Sequence, residues 1–421
     1  MHKKAQRRRF ALINGALTTM TMFIFPTGFL WGTASSPSQV EDGLHNDWED
    51  EFVRIGAHSP AHIRHFQTDL AMMKRMRVNA YRFGFDWSRL QASPRSPLSK
   101  DGIDVYRRMF LGLKEERIAA VVTLHHFANP KWLEGGWRNP AVVDLFLDFV
   151  DRVTDEFGDS VSMWNLINEP EVYVLDKYIV GAFPPNLKWR FLSAYSELRN
   201  MVAAVRSGYS MLRSKGATTI SIAKNFRPFH AFSGMPMDRI LAGLLNSVYN
   251  DWIFDSFFFA AGEPITDLIG INYYGPTRIK GGRPFIPGVF PQSKIIQDGG
   301  IFDDIQEIHP PTFKEVLSTV ASKTHLPIII LENGIGSDND QLRSLALAGT
   351  LREVASACKQ GIDIRGYFHW SLLDNIEWNF GNTVRFGLVE VSPPRSYERR
   401  LKRSGELYAS ICARNGIELP T

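Results

Sequence analysis

The chain has 421 residues, 44% hydrophobic and 22% charged, which is the make-up of a globular protein and not of a fibrous or disordered one. Of its formal charge of +4, five positive charges sit on Lys3, Lys4, Arg7, Arg8 and Arg9, leaving −1 for the rest and no basic surface for nucleic acid. The two cysteines, Cys358 and Cys412, lack CxxC or His-rich neighbours and read as free buried thiols, not a disulfide or a metal pair.

In chain order, residues 1–21 come first as a tail. Their RRRFALINGALTTM run suggests a disordered extension, a misassigned start with Met20 or Met22 as the true one, or a weak export signal of the twin-arginine type. The first two readings imply a cytoplasmic protein. The apolar part is too short to span a membrane.

From Phe29 onward, eight short apolar runs read as strands: 29–35, 79–85, 119–127, 161–169, 218–226, 267–275, 327–334 and 364–371. Helical patterns separate or follow them at 61–77, 103–117, 140–157, 190–214, 311–323, 341–360 and 397–413. DWIFDSFFF (251–259) reads as a segment packed over the sheet. No linker or low-complexity tract divides the chain, so residues 22–421 are expected to form one (β/α)8 TIM barrel. A doubly wound sheet would want a Gly-rich phosphate loop after a strand, and none occurs.

Barrel chemistry sits at the carboxyl ends of strands. Those ends, in order, present Gln39, Arg82, His126, Asn168-Glu169, Tyr274, Glu332 and Trp370. Glu332 is the sharpest signal, because PIIILENG runs an all-apolar strand straight into a glutamate and an Asn-Gly turn. Glu169, in NEP, is its counterpart across the barrel. Two carboxyls flanking a glycosidic bond suffice for hydrolysis when one is protonated and the other ionised. Arg82 and Tyr274 beside Glu332 would favour its carboxylate, which makes Glu332 the nucleophile and Glu169 the acid/base. The residues alone leave open whether configuration is retained or inverted.

The motifs FPTGFLWGTASSPSQVE, NAYRFGFDWSRL, VVTLHHFANPKWL, NLINEP, DLIGINYYG, IIILENGIG and GYFHWSLLDNIEWNFGNTVRFGLVEV together resemble glycoside hydrolase family 1, the β-glucosidase family, from about Phe25 to Tyr408. The resemblance implies a TIM barrel and retaining hydrolysis of β-linked glycosides, expected here to be β-glucosides first, with β-galactosides or β-fucosides as further substrates. No cofactor or metal is called for, and the protein is expected to act on small β-glycosides or oligosaccharides as a monomer or homo-oligomer. It implies a sugar site formed by Gln39, His126, Asn168, Glu332, Trp370, Glu377 and Trp378. Arg82, Asn272 and Tyr274 would support the two carboxyls, and Phe386 would lie near the sugar's 6-position. The presence of Glu377 implies a neutral sugar rather than a 6-phosphate. His125 reads as structural. The chain departs from the family's HWDLP and EGA-like runs at His126-Phe127-Ala128-Asn129-Pro130 and Val40-Glu41-Asp42-Gly43. There it resembles the galactolipid-remodelling galactosyltransferase branch, which makes transglycosylation the alternative to hydrolysis. A non-catalytic sugar-binding protein is the reading from a different class, and the presence of both glutamates argues against it.

Overall fold

The computed structural model describes residues 20–281 and 302–420. Eight parallel strands close into a barrel: β1 (Leu30–Ala34), β2 (Ala80–Gly84), β3 (Ala119–His125), β4 (Met163–Asn168), β5 (Ile220–Asn225), β6 (Leu268–Asn272), β7 (Ile328–Asn333) and β8 (Ile364–Trp370). Each expected strand is present. Closure is made by β8 on β1, with Gly366 opposite Leu30 and Trp370 opposite Ala34.

The interior is a packed core, as a barrel of this size requires. Ala34, Ala80, Val121, Met163, Ala223, Ile329, Leu331 and Phe368 fill it. Small residues on one strand make room for large ones on the next. A Cβ on Gly32 would lie 2.2 Å from the Phe368 ring, so β1 must carry glycine there for β8 to place phenylalanine inside.

Outside lie α1 (Phe66–Arg75), α2 (Lys100–Glu115), α3 (Val142–Phe157), α4 (Phe191–Ser214), α5 (Pro236–Leu245), α6 (Pro310–Thr324), α7 (Asp340–Lys359) and α8 (Arg403–Arg414). Their starts follow local chemistry: Ser99 accepts from the Gly102 amide at the head of α2, and Asn339 accepts from the Leu342 amide at the head of α7. On α3, Leu145, Phe146, Phe149, Val150 and Val153 form the helical stripe that packs inward.

Three expectations change. The helix drawn over 397–413 begins only at Arg403, because Ser396–Leu401 is a strand paired antiparallel with Val389–Ser392. Pro393-Pro394 turns the chain, and cross-strand pairing then overrides the helical preference of the Glu/Arg/Leu run. The helix drawn over 61–77 begins at Phe66, after Ala61 adopts a left-handed φ of 53°. Helix α5 has no counterpart in the sequence reading, since Met237, Ile240 and Leu244 are exposed on it and blur the expected amphipathic stripe. In the segment that follows, Ile253, Phe254, Phe257 and Phe258 are buried, as expected for a stretch packed over the barrel.

Residues 1–19 of the proposed tail lie outside the described residues. Its last two, Met20 and Thr21, belong to a strand, Met20–Ile24, that pairs antiparallel with Gly416–Pro420 and ties the two ends of the described chain together. Cys358 and Cys412 are free thiols. No described helix is long and apolar enough to cross a membrane.

Candidate active site

The carboxyl ends of the strands converge on a cavity of about 440 Å³, within the range of about 300–1,000 Å³ usual for small-molecule sites. Its walls include His126, Asn168, Glu169, Tyr274, Glu332, Trp370, Glu377, Trp378 and Phe386. Nine residues expected at the site therefore share one pocket. The other three, Gln39, Arg82 and Asn272, lie directly behind it, bonded to residues that line it.

Glu332 is the penultimate residue of β7 and is 3% exposed. One of its oxygens accepts from the Arg82 guanidinium, and the other accepts from the Tyr274 hydroxyl at 2.6 Å. Arg82, fully buried on β2, also donates to Thr123 Oγ1 at 3.1 Å and to Asn168 Oδ1 at 2.7 Å. A guanidinium held in this fork can shift little, so Glu332 is fixed in place as well as in charge environment. The turn beyond it is equally constrained: a Cβ on Gly334 would sit 1.9 Å from the Trp370 carbonyl oxygen.

Glu169 follows β4 in a different setting. Its backbone adopts φ 40° and ψ 60°, a left-handed conformation that costs a non-glycine residue roughly 1–2 kcal/mol. The strain turns its side chain toward Asn272, whose Nδ2 donates to Oε1 at 2.8 Å, and Asn225, whose Nδ2 donates to the same oxygen at 3.0 Å. Burial first, and then the nearby charge of Glu332, push its pKa up to about 8. The two carboxyls are joined by a continuous relay, Glu332–Arg82–Asn168–Asn272–Glu169, because Asn272 also donates to Asn168 Oδ1 at 3.1 Å.

The same relay orients His126. With two donors on its Oδ1, Asn168 turns its amide nitrogen to His126 Nε2 at 3.1 Å. Burial and the charge of Arg82 push His126 well below its usual pKa, so the ring is neutral and its proton is on Nδ1. That buried Nδ1 has no hydrogen-bond partner among the described residues. Trp370 and Trp378 lie near-parallel to His126, with centroids at 5.7 and 6.1 Å, forming an aromatic floor. Phe386 meets Tyr274 edge-on at 5.9 Å.

Glu377 closes the far wall. Gln39 Nε2 donates to it at 3.2 Å while also donating to the Ile376 carbonyl at 2.8 Å. Burial, then the charge of Glu332, push Glu377 up to about 8. His125 is structural as expected: Trp137 Nε1 donates to its Nε2 at 3.0 Å beneath the pocket. Among the described residues no cluster of His, Cys, Asp or Glu could hold a metal ion.

One contributor was missed. Asn225 ends β5 and bonds Glu169, yet the fifth strand was assigned no site residue. The strand-end rule applied to TTISIAKNF would have pointed to it.

A closed parallel barrel whose strand ends set a protonated carboxyl against one tied to arginine and tyrosine is the apparatus of a glycosidase. The comparisons agree. The model of glycosyl hydrolase family 1 matches residues 22–266 and 263–417. Beta-glucosidase A of Acetivibrio thermocellus is 27% identical over 94% of this chain and 100% of its own length. Beta-glucosidase 47 of Arabidopsis thaliana is 27% identical over 88% and 81% respectively. Among solved structures, the β-glycosidase from Pyrococcus horikoshii superposes with a TM-score of 0.83 at 27% identity, covering 94% of this chain and 96% of its own. A β-glucosidase from Thermotoga maritima in complex with noeuromycin gives 0.83 at 25%, covering 94% and 99%. The chain belongs to glycosyl hydrolase family 1.

Proposed function

We propose that the protein hydrolyses β-glucosides with retention, using Glu332 as nucleophile and Glu169 as acid/base. The observation that carries this reading is the difference between the two carboxyls: Glu169 is raised to about 8 and keeps its proton near neutrality, while Glu332 offers both oxygens to the donors Arg82 and Tyr274. In the first step a Glu332 oxygen bonds the anomeric carbon, the bond to the aglycone oxygen breaks, and the Glu169 proton passes to that oxygen. In the second, Glu169 takes a proton from water, the water oxygen bonds the anomeric carbon, and the ester to Glu332 breaks.

Around the sugar, Trp370 is the platform for the ring's C–H face. His126 Nδ1–H, Asn168 and Glu377 address hydroxyls, Gln39 holds Glu377 from behind the wall instead of touching the sugar, Trp378 and Phe386 border the ring, and Asn272 supports Glu169. Glu377, raised to about 8, can donate as well as accept. A carboxyl there offers a phosphate no opposite charge and repels it once ionised, which supports a neutral sugar.

The two departures from the family pattern lie in structural networks. Asn129 is bonded to Asp47 Oδ2 at 2.8 Å and Tyr173 Oη at 2.6 Å, and Glu41 to Arg89 Nε at 3.0 Å. They support a change in the scaffold around the pocket, so water, rather than a lipid or sugar acceptor, remains the proposed second substrate. The test is nitrophenol release from aryl β-glucoside, β-galactoside and β-mannoside by wild type and Glu332→Gly. A loss of about 10⁴-fold or more in the variant, with partial rescue by azide, is expected for a missing nucleophile. Absence of wild-type turnover on all three sugars would refute the reading, and transfer products with added acceptor would replace hydrolysis by transglycosylation.

A further inference from the structure

Beside Glu169, but not among the residues lining the cavity, is an ion pair with no role in the steps above. Lys224, on β5, and Glu171, two residues past Glu169, are 1% and 2% exposed. Their charged atoms lie 3.7 Å apart, looser than a direct hydrogen bond. Their close contacts go instead to the backbone of one residue, to the two peptides that flank its Cα. Glu171 Oε1 accepts from the Asn225 backbone N–H at 2.6 Å, and Lys224 Nζ donates to the Asn225 carbonyl at 3.0 Å. The Lys224 ammonium also rests on the rings of Phe226 and Tyr249 at 4.7 and 4.6 Å, and Glu171 Oε2 is left with no hydrogen-bond partner.

Two buried charges are a poor way to fill space, since apolar residues of the same volume usually stabilise as well or better. Here their strongest bonds hold Asn225 from both sides, and Asn225 Nδ2 in turn donates to Glu169 Oε1 at 3.0 Å. We propose that Glu171 and Lys224 are positioning residues for the proton donor: they clamp the Asn225 backbone on both sides of its Cα so that its side-chain amide presents one fixed donor to Glu169. The inference rests on Glu169 being the acid/base.

Electrostatics point the same way. Burial raises Glu171 and lowers Lys224, and each opposes that shift in the other. The charge of Glu171 adds to that of Glu332 in raising Glu169, and Glu169 in turn favours the charged form of Lys224. The remaining titratable groups coupled to Glu169 are Tyr274, beyond β6, and Tyr249, in the helical segment after α5; Arg227 acts on Glu171 from beyond β5.

The experiment compares kcat/KM on phenyl β-glucoside, whose leaving group needs a proton, and on 2,4-dinitrophenyl β-glucoside, whose leaving group departs without one. Lys224→Met is expected to lose at least about tenfold on the first and less than about threefold on the second, the pattern of impaired acid catalysis. Glu171→Gln keeps an oxygen for the Asn225 N–H but removes the charge. The alkaline limb of its pH profile should move to lower pH, by about half a unit or more. Equal losses on both substrates, or an unmoved alkaline limb in Glu171→Gln, would overturn the proposal. If Lys224→Met does not fold, the double variant Lys224→Met/Glu171→Leu, which leaves no unpaired buried charge, carries the same leaving-group test. Glu169→Ala in parallel separates the two readings: without a leaving-group split there, the assignment of the proton donor fails, not only the clamp.

Discussion

Asn272→Ala removes one of the two amides that bond Glu169 Oε1, at 2.8 Å, and with it the bond to Asn168 Oδ1 at 3.1 Å. The Asn272 bond favours the charged form of Glu169 and so holds down a pKa that burial and Glu332 have raised to about 8. A hydrogen bond to a charged group contributes about 1.5–3 kcal/mol, and 1.36 kcal/mol is one pKa unit. Asn225 keeps its bond and water can enter the vacated space, which favours the lower end. The alkaline limb of kcat/KM for an aryl β-glucoside should therefore move up by about one unit. The variant becomes a weaker enzyme with a wider alkaline range. At pH 6, where Glu169 is protonated in both proteins, the loss should stay within about 10²-fold, the lower bound for removing a positioned proton donor outright. Stopped assays from pH 5 to 10, normalised to folded protein, check this. An alkaline limb that stays put or moves to lower pH would refute the argument that Asn272 acts on the charged form of Glu169.

Gly334→Ala places a methyl group 1.9 Å from the Trp370 carbonyl oxygen, so strand β7 must shift away from β8 just past Glu332. Thermal unfolding should show a loss of about 1–3 kcal/mol, the cost of overpacking, together with a fall in kcat; a variant with wild-type melting and activity would contradict the tight turn. Stability should also depend on pH with a definite sign. Glu169 and Glu377 are raised to about 8 and Asp303 to about 7, all chiefly by burial, so the stability they contribute is present below their unfolded pKa values near 4 and is lost as pH rises through 7–8. His125 and His369 are lowered to about 3, again by burial, so theirs is present above the unfolded value of 6.5 and is lost as pH falls through 3. Melting temperature should peak between about pH 4.5 and 6.5, and a maximum above pH 8 would refute the raised carboxyls.

By itself the sequence determined the barrel and the chemistry at its rim. Parallel strands buried on both faces are largely apolar, so the eight strands stand out as runs such as PIIILENG, and an ionisable residue at the end of one is conspicuous. Glu169 and Glu332 are visible for that reason, and their neighbours follow from the motifs around them. The Ser396–Leu401 strand was misread because a hairpin's partner, not its composition, decides its conformation. Helix α5 escaped notice because its exposed face is apolar. Only the tertiary structure decided the raised pKa of Glu169 and the donors that hold the two carboxyls. Arg82, Asn168 and Asn272 come from strands far apart in the chain, and their relay exists only once the barrel closes. Glu169 and Glu332 are both glutamates with apolar strands before them. What separates them is the kind of donor: Glu332 takes a guanidinium on one oxygen and a tyrosine hydroxyl on the other, while Glu169 takes two neutral amides on a single oxygen, and these partners come from the three-dimensional neighbours and not from the flanking residues.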